Sequence, residues 1–369
     1  MKIYELLDLI DSWAPFATQE SWDNSGLITG DANDDINKAL LCLDCTSQVV
    51  EEAVANFCNV IICHHPPVFT PLKVFTAANP LSGVVVKAIR HNVAILALHT
   101  NLDNAAGGVS HEIGLRLGLK EMEVLQPLNG SMLKIQTFCP AAQAGFVRNA
   151  LFKAGAGELG RYTSCSFNSR GTGTFTPGES SEPFAGERGK FHEEQEIKIE
   201  CILPSWTKGR VVKALLRSHP YEVPAYDLIP LVNEWTANGA GISGLLELPM
   251  DSGDFLDFLA SRMKARVVRH TGYSSSIHRV ACCGGSGSFL LEPAVAARCD
   301  VMVTADVKYH QFVDYANRLM VADIGHYESE QFTPELIHKK LTENLITFAL
   351  LLSKVNTNPI NYSYYGNNG

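Results

Sequence analysis

Apolar positions recur at helical spacing over residues 3–13, with Ile3, Leu6, Leu7 and Ile10 on one face and Pro15 beyond as a stop. Unbroken apolar runs at 38–43, 59–63 and 93–98 predict buried strands. Helices are predicted between them. One is capped by Thr46 or Ser47, runs to about 57 and turns Val49, Val50 and Val54 inward; a second covers 81–91; a third opens at Gly107-Gly108 and ends at 117. The same grammar returns near the C-terminus. Strands are predicted at 279–283, 301–304 and 320–324, with helices at 293–298 and 310–319 and a long one from His326 to about 352. Strands that are apolar throughout and alternate with helices predict a parallel-rich sheet covered on both faces. The polar tail, 356–369, is expected to pack loosely.

The middle of the chain reads differently. A strand at 131–139 leads into a helix ending at Lys153, and a stretch rich in Gly, Ser and Pro follows at 171–189. Residues 196–203 alternate strictly between polar and apolar, which leaves one face solvated and predicts an antiparallel sheet. A helix at 211–218 precedes His219-Pro220-Tyr221-Glu222. This β-α-β-β-α-β order predicts a ferredoxin-like α+β insert over 129–231, inside a discontinuous α/β domain made of 1–128 and 232–369.

Composition narrows the function classes. With 46% hydrophobic and 19% charged residues, the chain is globular rather than disordered. The formal charge of −9, with no Lys/Arg run, disfavours nucleic acid as a partner. No apolar run approaches the roughly 20 residues that span a bilayer, and acids interrupt the N-terminus, so a cytoplasmic protein without a membrane partner is expected. The ten cysteines read as small buried hydrophobes, and the Cys42/Cys45 pair has no second pair to complete a zinc site.

Candidate chemistry gathers at strand ends. His64 and His65 follow one predicted strand, His99 and Asp103 the next, and His326 with Glu330 a third. Ligands of open parallel sheets bind beyond the carboxyl ends of strands. Imidazole and carboxylate delivered to one such edge suit a borderline divalent metal, and this set exceeds one tetrahedral site. A shared carboxylate would allow two ions. Gly284-Gly285-Ser286-Gly287 reads as a tight turn, or as backbone donors for an anion. No G-x-S-x-G is present for a serine nucleophile.

These motifs resemble the NIF-three-like family (NGG-one-interacting factor three), whose members are often labelled GTP cyclohydrolase I type 2. The resemblance is carried by Trp22-Asp23-Asn24-Ser25-Gly26-Leu27, Ile61-Ile62-Cys63-His64-His65-Pro66-Pro67, His99-Thr100-Asn101-Leu102-Asp103 and Gly284-Gly285-Ser286-Gly287. Thr304-Ala305-Asp306-Val307-Lys308-Tyr309-His310 and Asp323-Ile324-Gly325-His326-Tyr327-Glu328-Ser329-Glu330 complete it. It implies a split three-layer α/β domain, a dinuclear metal centre and a ring-shaped homohexamer. By resemblance, His64, His65, Asp103, His326 and Glu330 are the metal ligands, Glu330 being the bridge. The insert resembles the PII/CutA-like domain of longer members, with Val223 where that motif usually has a second Glu.

The expected function is a hydrolase that activates water on two divalent ions, Zn²⁺ or Fe²⁺ with Mn²⁺ also suited, and attacks a nucleotide or phosphoester, a GTP cyclohydrolase being one such enzyme. His99, Asp306 and His310 are candidates for moving the proton. Trp22, Asp23, Asn24 and Lys308 are candidates for holding substrate. The rival expectation is a non-enzymatic metal-binding hexameric scaffold whose insert senses a small ligand.

Overall fold

A computed structural model describes residues 1–272, 276–345 and 348–363. The chain forms two compact units, 1–126 with 238–369, and 127–237.

The first unit opens with α1 (Ile3–Asp11), β1 (Gly26–Thr29), β2 (Lys38–Asp44), α2 (Ser47–Ala55), β3 (Val60–His65) and α3 (Pro80–Arg90). Next come β4 (Ala94–Ala97), α4 (Thr100–Asp103), α5 (Val109–Arg116) and β5 (Lys120–Leu128). After the inserted unit, with β6 (Met132–Pro140), α6 (Ala144–Lys153), β7 (Phe167–Phe175), β8 (His192–Pro204), α7 (Lys208–Ser218) and β9 (Tyr226–Leu231), the chain continues through β10 (Trp235–Met250), α8 (Ser252–Met263) and β11 (Arg269–His270). It then forms β12 (Ile277–Ser286), α9 (Leu291–Ala296), β13 (Val301–Ala305), α10 (Tyr309–Tyr315) and β14 (Met320–Asp323), and closes with α11 (His326–Glu330), α12 (Thr333–Thr342) and β15 (Ala349–Leu352).

The strands of the first unit form two sheets, where the sequence pattern predicted one. The first has the order β1-β4-β3-β2-β15, parallel except for β1. The second has the order β11-β14-β13-β12-β10-β5, with β12, β13 and β14 parallel at its centre, β10 antiparallel to β12 and β11 antiparallel to β14. The outer strands β5 and β10 lack the apolar signature of the central ones, which is why the pattern missed them and the boundary between sheets.

Both sheets are buried on both faces. Leu41, Val60, Ile62 and Leu96 pack into one cluster with α1 and α12, while Leu40, Cys42, Ile61, Cys63 and Ile95 pack into another with α2 and α3. In the second sheet Val280, Cys282, Val301 and Val303 join Phe255 and Leu259, whereas Ala281, Met302 and Val321 join Leu290 and Leu291. Side chains alternate across a strand, so a strand covered on both faces must be apolar at every position. Each fully buried Leu or Ile contributes about 1.5–3 kcal/mol relative to exposure.

Two predicted elements change. The helix expected from His326 to 352 is two short helices and a strand. Pro334 in the first turn of α12 starts a new helix, and β15 pairs in parallel with β2, Leu350 opposite Ala39. Four apolar residues do not distinguish helix from strand by periodicity, and a free sheet edge decides the case. The tight turn expected at Gly284 to Gly287 is largely the end of β12, with its register to β13 shifted between Cys282 and Ser286.

In the second unit the four strands stand in the order β7-β8-β6-β9, each adjacent pair antiparallel. Ile135, Ile199 and Leu203 on one face meet Val147 and Leu151 of α6 and Val211 and Leu215 of α7. β7 runs through Gly171 and Gly173, a stretch whose composition reads as loop. A Cβ on Gly173 would lie 2.2 Å from Glu196 Oε2, so glycine is what fits beside that carboxylate. All ten cysteines are free. Among the described residues, no helix is long and apolar enough to cross a membrane.

Candidate metal centre

Three histidines come from the carboxyl ends of the first sheet. His64 and His65 close β3, and His99 precedes the single turn of α4, which carries Asp103. His326 and Glu330 start and end α11, just past β14 of the second sheet. The Gly325 backbone before it has a φ of 92°, a left-handed value that glycine adopts without strain. All these residues belong to the first unit.

The ring nitrogens are oriented from behind. His64 Nδ1 lies 2.7 Å from the Leu98 carbonyl oxygen. A carbonyl only accepts, so Nδ1 carries the hydrogen and Nε2 presents a lone pair. His65 Nδ1 is 2.7 Å from Asp44 Oδ1, His326 Nδ1 is 2.6 Å from Asp306 Oδ2, and His99 Nδ1 is 2.7 Å from Asp23 Oδ1. Each ring thus offers Nε2 to the interior.

The Nε2 atoms converge on carboxylates. His64 Nε2 stands 3.7 Å from both Asp103 Oδ1 and Glu330 Oε1. Glu330 Oε2 is 3.0 Å from His65 Nε2 and 3.1 Å from His326 Nε2. Two groups with metal-ligand spacing result, His64/Asp103/Glu330 and His65/His326/Glu330, and Glu330 belongs to both. A third, His64/His65/His99, places His99 against the first two rings.

Burial makes this arrangement costly without a cation. His64 Nε2 and Asp103 Oδ1 are buried and have no hydrogen-bond partner. Burial lowers the His64 pKa and keeps the ring neutral, so its lone pair faces two carboxyl oxygens. Burial and the charge of Glu330 hold the Asp103 carboxyl well above its ordinary range. Burial opposes charge on Glu330 too, yet His326, 3.1 Å from Oε2, holds its carboxyl well below the usual range. Unpartnered acceptors gathered in a buried site are what a divalent ion satisfies, and histidine nitrogen with carboxylate oxygen fits such an ion. Among the described residues, the chain therefore holds a possible His/Glu metal site.

A family model described as Duf34/NIF3 (NGG1p interacting factor 3) matches residues 1–359. The chain belongs to the Duf34/NIF3 family. A Halalkalibacterium halodurans relative named "GTP cyclohydrolase 1 type 2 homolog" is 36% identical over 363 residues, 97% of this chain and 98% of that protein. A Bacillus subtilis relative of the same name is 33% identical, over 97% and 98% of the two chains. Among solved structures, a Bacillus cereus protein related to NIF3 superposes with a TM-score of 0.86 at 34% identity, covering 98% of this chain and 99% of that one.

Within this Duf34/NIF3 chain the other candidate residues separate. Asp23 was expected to face substrate, but its carboxylate is fully buried and engaged. It accepts from His99 Nδ1, from the Thr100 N–H at 3.0 Å and from the Thr100 hydroxyl, so it orients His99. Asn24 donates to the Val68 carbonyl at 2.9 Å, joining its loop to the one after β3. Trp22 is 62% exposed and meets the His99 ring edge-on at 6.0 Å between centroids. Asp306 is spent on His326, and its φ of 55° is a strained value for a non-glycine residue. Lys308 and His310 are exposed, and His310 is in none of the three groups.

Sequence reasoning missed Asp44, which holds His65 from the end of β2. The signal was available, since Asp44 sits at the same kind of strand end as the histidines. It also misjudged the Gly284-Gly285-Ser286-Gly287 run. A Cβ on Gly285, at a φ of 57°, would lie 2.4 Å from Glu330 Oε1, and one on Gly284 would lie 2.6 Å from Val109 Cγ1. Gly285 makes room for the Glu330 carboxylate, and Gly284 for Val109. Ser329 fixes the approach, accepting from the Gly285 N–H at 2.9 Å and donating to the His326 carbonyl at 2.8 Å.

Proposed function

We propose that this protein is a metal-dependent hydrolase acting on a nucleotide or phosphoester at the His64/His65/Asp103/His326/Glu330 cluster. The observation that carries the reading is Glu330, whose two oxygens each face a separate histidine set. Two divalent ions, Zn²⁺ or Fe²⁺ with Mn²⁺ also suited, would be held by His64 with Asp103 and by His65 with His326, Glu330 serving both. Bound there, the ions supply Lewis acidity and a water of lowered pKa.

The chain's own residues do the rest. Asp23 fixes His99 with Nδ1–H turned back, leaving Nε2 to take up or deliver a proton beside the cluster. Trp22, exposed beside His99, offers an aromatic wall to a substrate ring. The relatives' name, GTP cyclohydrolase 1 type 2 homolog, supports a nucleotide among the candidate substrates. The β-α-β-β-α-β order of the second unit supports a ferredoxin-like insert; its PII/CutA-like assignment and the ring-shaped homohexamer rest on the family resemblance and belong to the same proposal.

The test is a metal-loaded activity screen over GTP and phosphoesters, run beside His64→Ala. Turnover lost in that variant supports the reading. A protein that retains metal but turns over nothing in the panel contradicts it.

A further inference from the structure

The C-terminal segment was expected to pack loosely, yet its described part, up to residue 363, is tied to the metal centre. β15 lies beside β2 with Leu352 opposite Leu41. The chain then keeps following β2 toward its carboxyl end. The Ser353 N–H donates to the Leu41 carbonyl at 2.8 Å, and the Lys354 N–H donates to Glu52 Oε1 of α2 at 2.9 Å. At the end of this path the Thr357 hydroxyl donates to Asp44 Oδ2 at 2.6 Å. One residue on, Asn358 Nδ2 donates to Glu328 Oε1 of α11 at 3.3 Å.

Asp44 is the residue that holds His65, so its two oxygens face opposite ways. Oδ1 takes the His65 Nδ1 contact at 2.7 Å and Oδ2 takes Thr357. A carboxylate with one oxygen on an imidazole keeps a free torsion unless the other oxygen is also fixed. Thr357 fixes it. Glu328, on the same short helix as His326 and Glu330, is held by the next residue. The segment therefore reaches the first-sheet side and the second-sheet side of the His65/His326/Glu330 group together. On the His64 side the backing group is the Leu98 carbonyl of the main chain.

We propose that Thr357 is a positioning residue for one half of the metal centre. Through Asp44 it sets the His65 ring, and the C-terminal segment acts as a strap on the His65/His326/Glu330 group while His64/Asp103/Glu330 stands without it. This rests on the metal reading given above. Partners behind a metal-ligating histidine typically govern affinity by 10–100-fold, and a hydroxyl one bond further back belongs at the lower end of that range.

The experiment is a chelator-competition titration of Zn²⁺ into the full chain, with wild type, Thr357→Val, Thr357→Ser and Asp44→Asn compared. Val keeps the shape and removes the donor, and Ser keeps the donor. The expected result is two binding steps in wild type and in Thr357→Ser. In Thr357→Val one step weakens about tenfold and the other is unchanged. Asp44→Asn weakens that same step more. Two unchanged steps in Thr357→Val overturn the proposal, as does equal weakening of both steps or failure of the Ser variant to restore affinity. A wild-type chain that binds no Zn²⁺ fails the metal reading instead, so the two failures are distinct.

Discussion

The Nε2 atoms of His65 and His326 stand 3.3 Å apart, brought together across 261 positions of chain. Their Nδ1 atoms are taken by Asp44 and Asp306, so both lone pairs point at one place, where Glu330 Oε2 also points. Three electron-rich atoms do not share a half-buried space unless a proton or a metal ion stands among them. The rest of the first unit, two sheets with their carboxyl ends facing this point, delivers those atoms.

Metal binding must displace protons. Burial disfavours charge on His65 and His326, but the Asp44, Asp306 and Glu330 carboxylates outweigh it and raise the two rings to about 10 and about 9. Both are raised above the unperturbed value, so the metal-free protein holds those protons at pH 7.5 and gives them up on binding. Titration calorimetry of Zn²⁺ in buffers of differing ionisation enthalpy is expected to show net proton release. Apparent affinity is expected to rise as pH increases toward 9. Enthalpies that do not vary with buffer would contradict this.

Gly285→Ala is expected to damage the centre and the fold together. The new Cβ meets Glu330 Oε1 at 2.4 Å, and the left-handed backbone adds about 1–2 kcal/mol of strain. Thermal denaturation should show a lowered Tm, and elemental analysis should show lost metal. Gly145→Ala, on α6 of the other unit with open space around its Cβ, is the control; it should keep its metal and should not lower the Tm, since alanine favours a helix.

Asp23→Ala separates orientation from metal binding. Asp23 reaches His99 but none of the three ligand groups includes it. Turnover is expected to fall tenfold or more, on the scale of general acid–base contributions, with metal content unchanged. Loss of metal in this variant would instead make Asp23 part of the ligand scaffold.

Phe255→Ala probes the second sheet's core. Phe255 is fully buried between α8 and that sheet, and truncation is expected to cost about 3–5 kcal/mol in denaturant unfolding. A cost below about 1 kcal/mol would mean that the core refills the cavity.

Much of this was legible in the chain. The apolar runs at β2, β3 and β4 are continuous because both faces are covered, and that pattern located the strand ends where His64, His65 and His99 stand. The five proposed ligands, read from three strand ends, stand in adjoining groups that share Glu330, His65 or His64. What stayed hidden depends on the neighbour rather than the residue. Asp23 looks like any aspartate at a loop, and only the fold shows it holding His99. β15 is four apolar residues whose strand identity comes from the edge of β2. Gly285 reads as a turn until the Glu330 carboxylate is seen beside it.

The central proposal is that two metal ions per chain share Glu330. Elemental analysis of the full chain, purified with metal replete, tests it most directly, with Glu330→Ala and Asp103→Ala measured alongside. The expected contents are about two ions per chain in wild type, about one in Asp103→Ala and close to none in Glu330→Ala. Fewer than one ion per chain in wild type, or a Glu330→Ala protein that keeps both, would contradict the account.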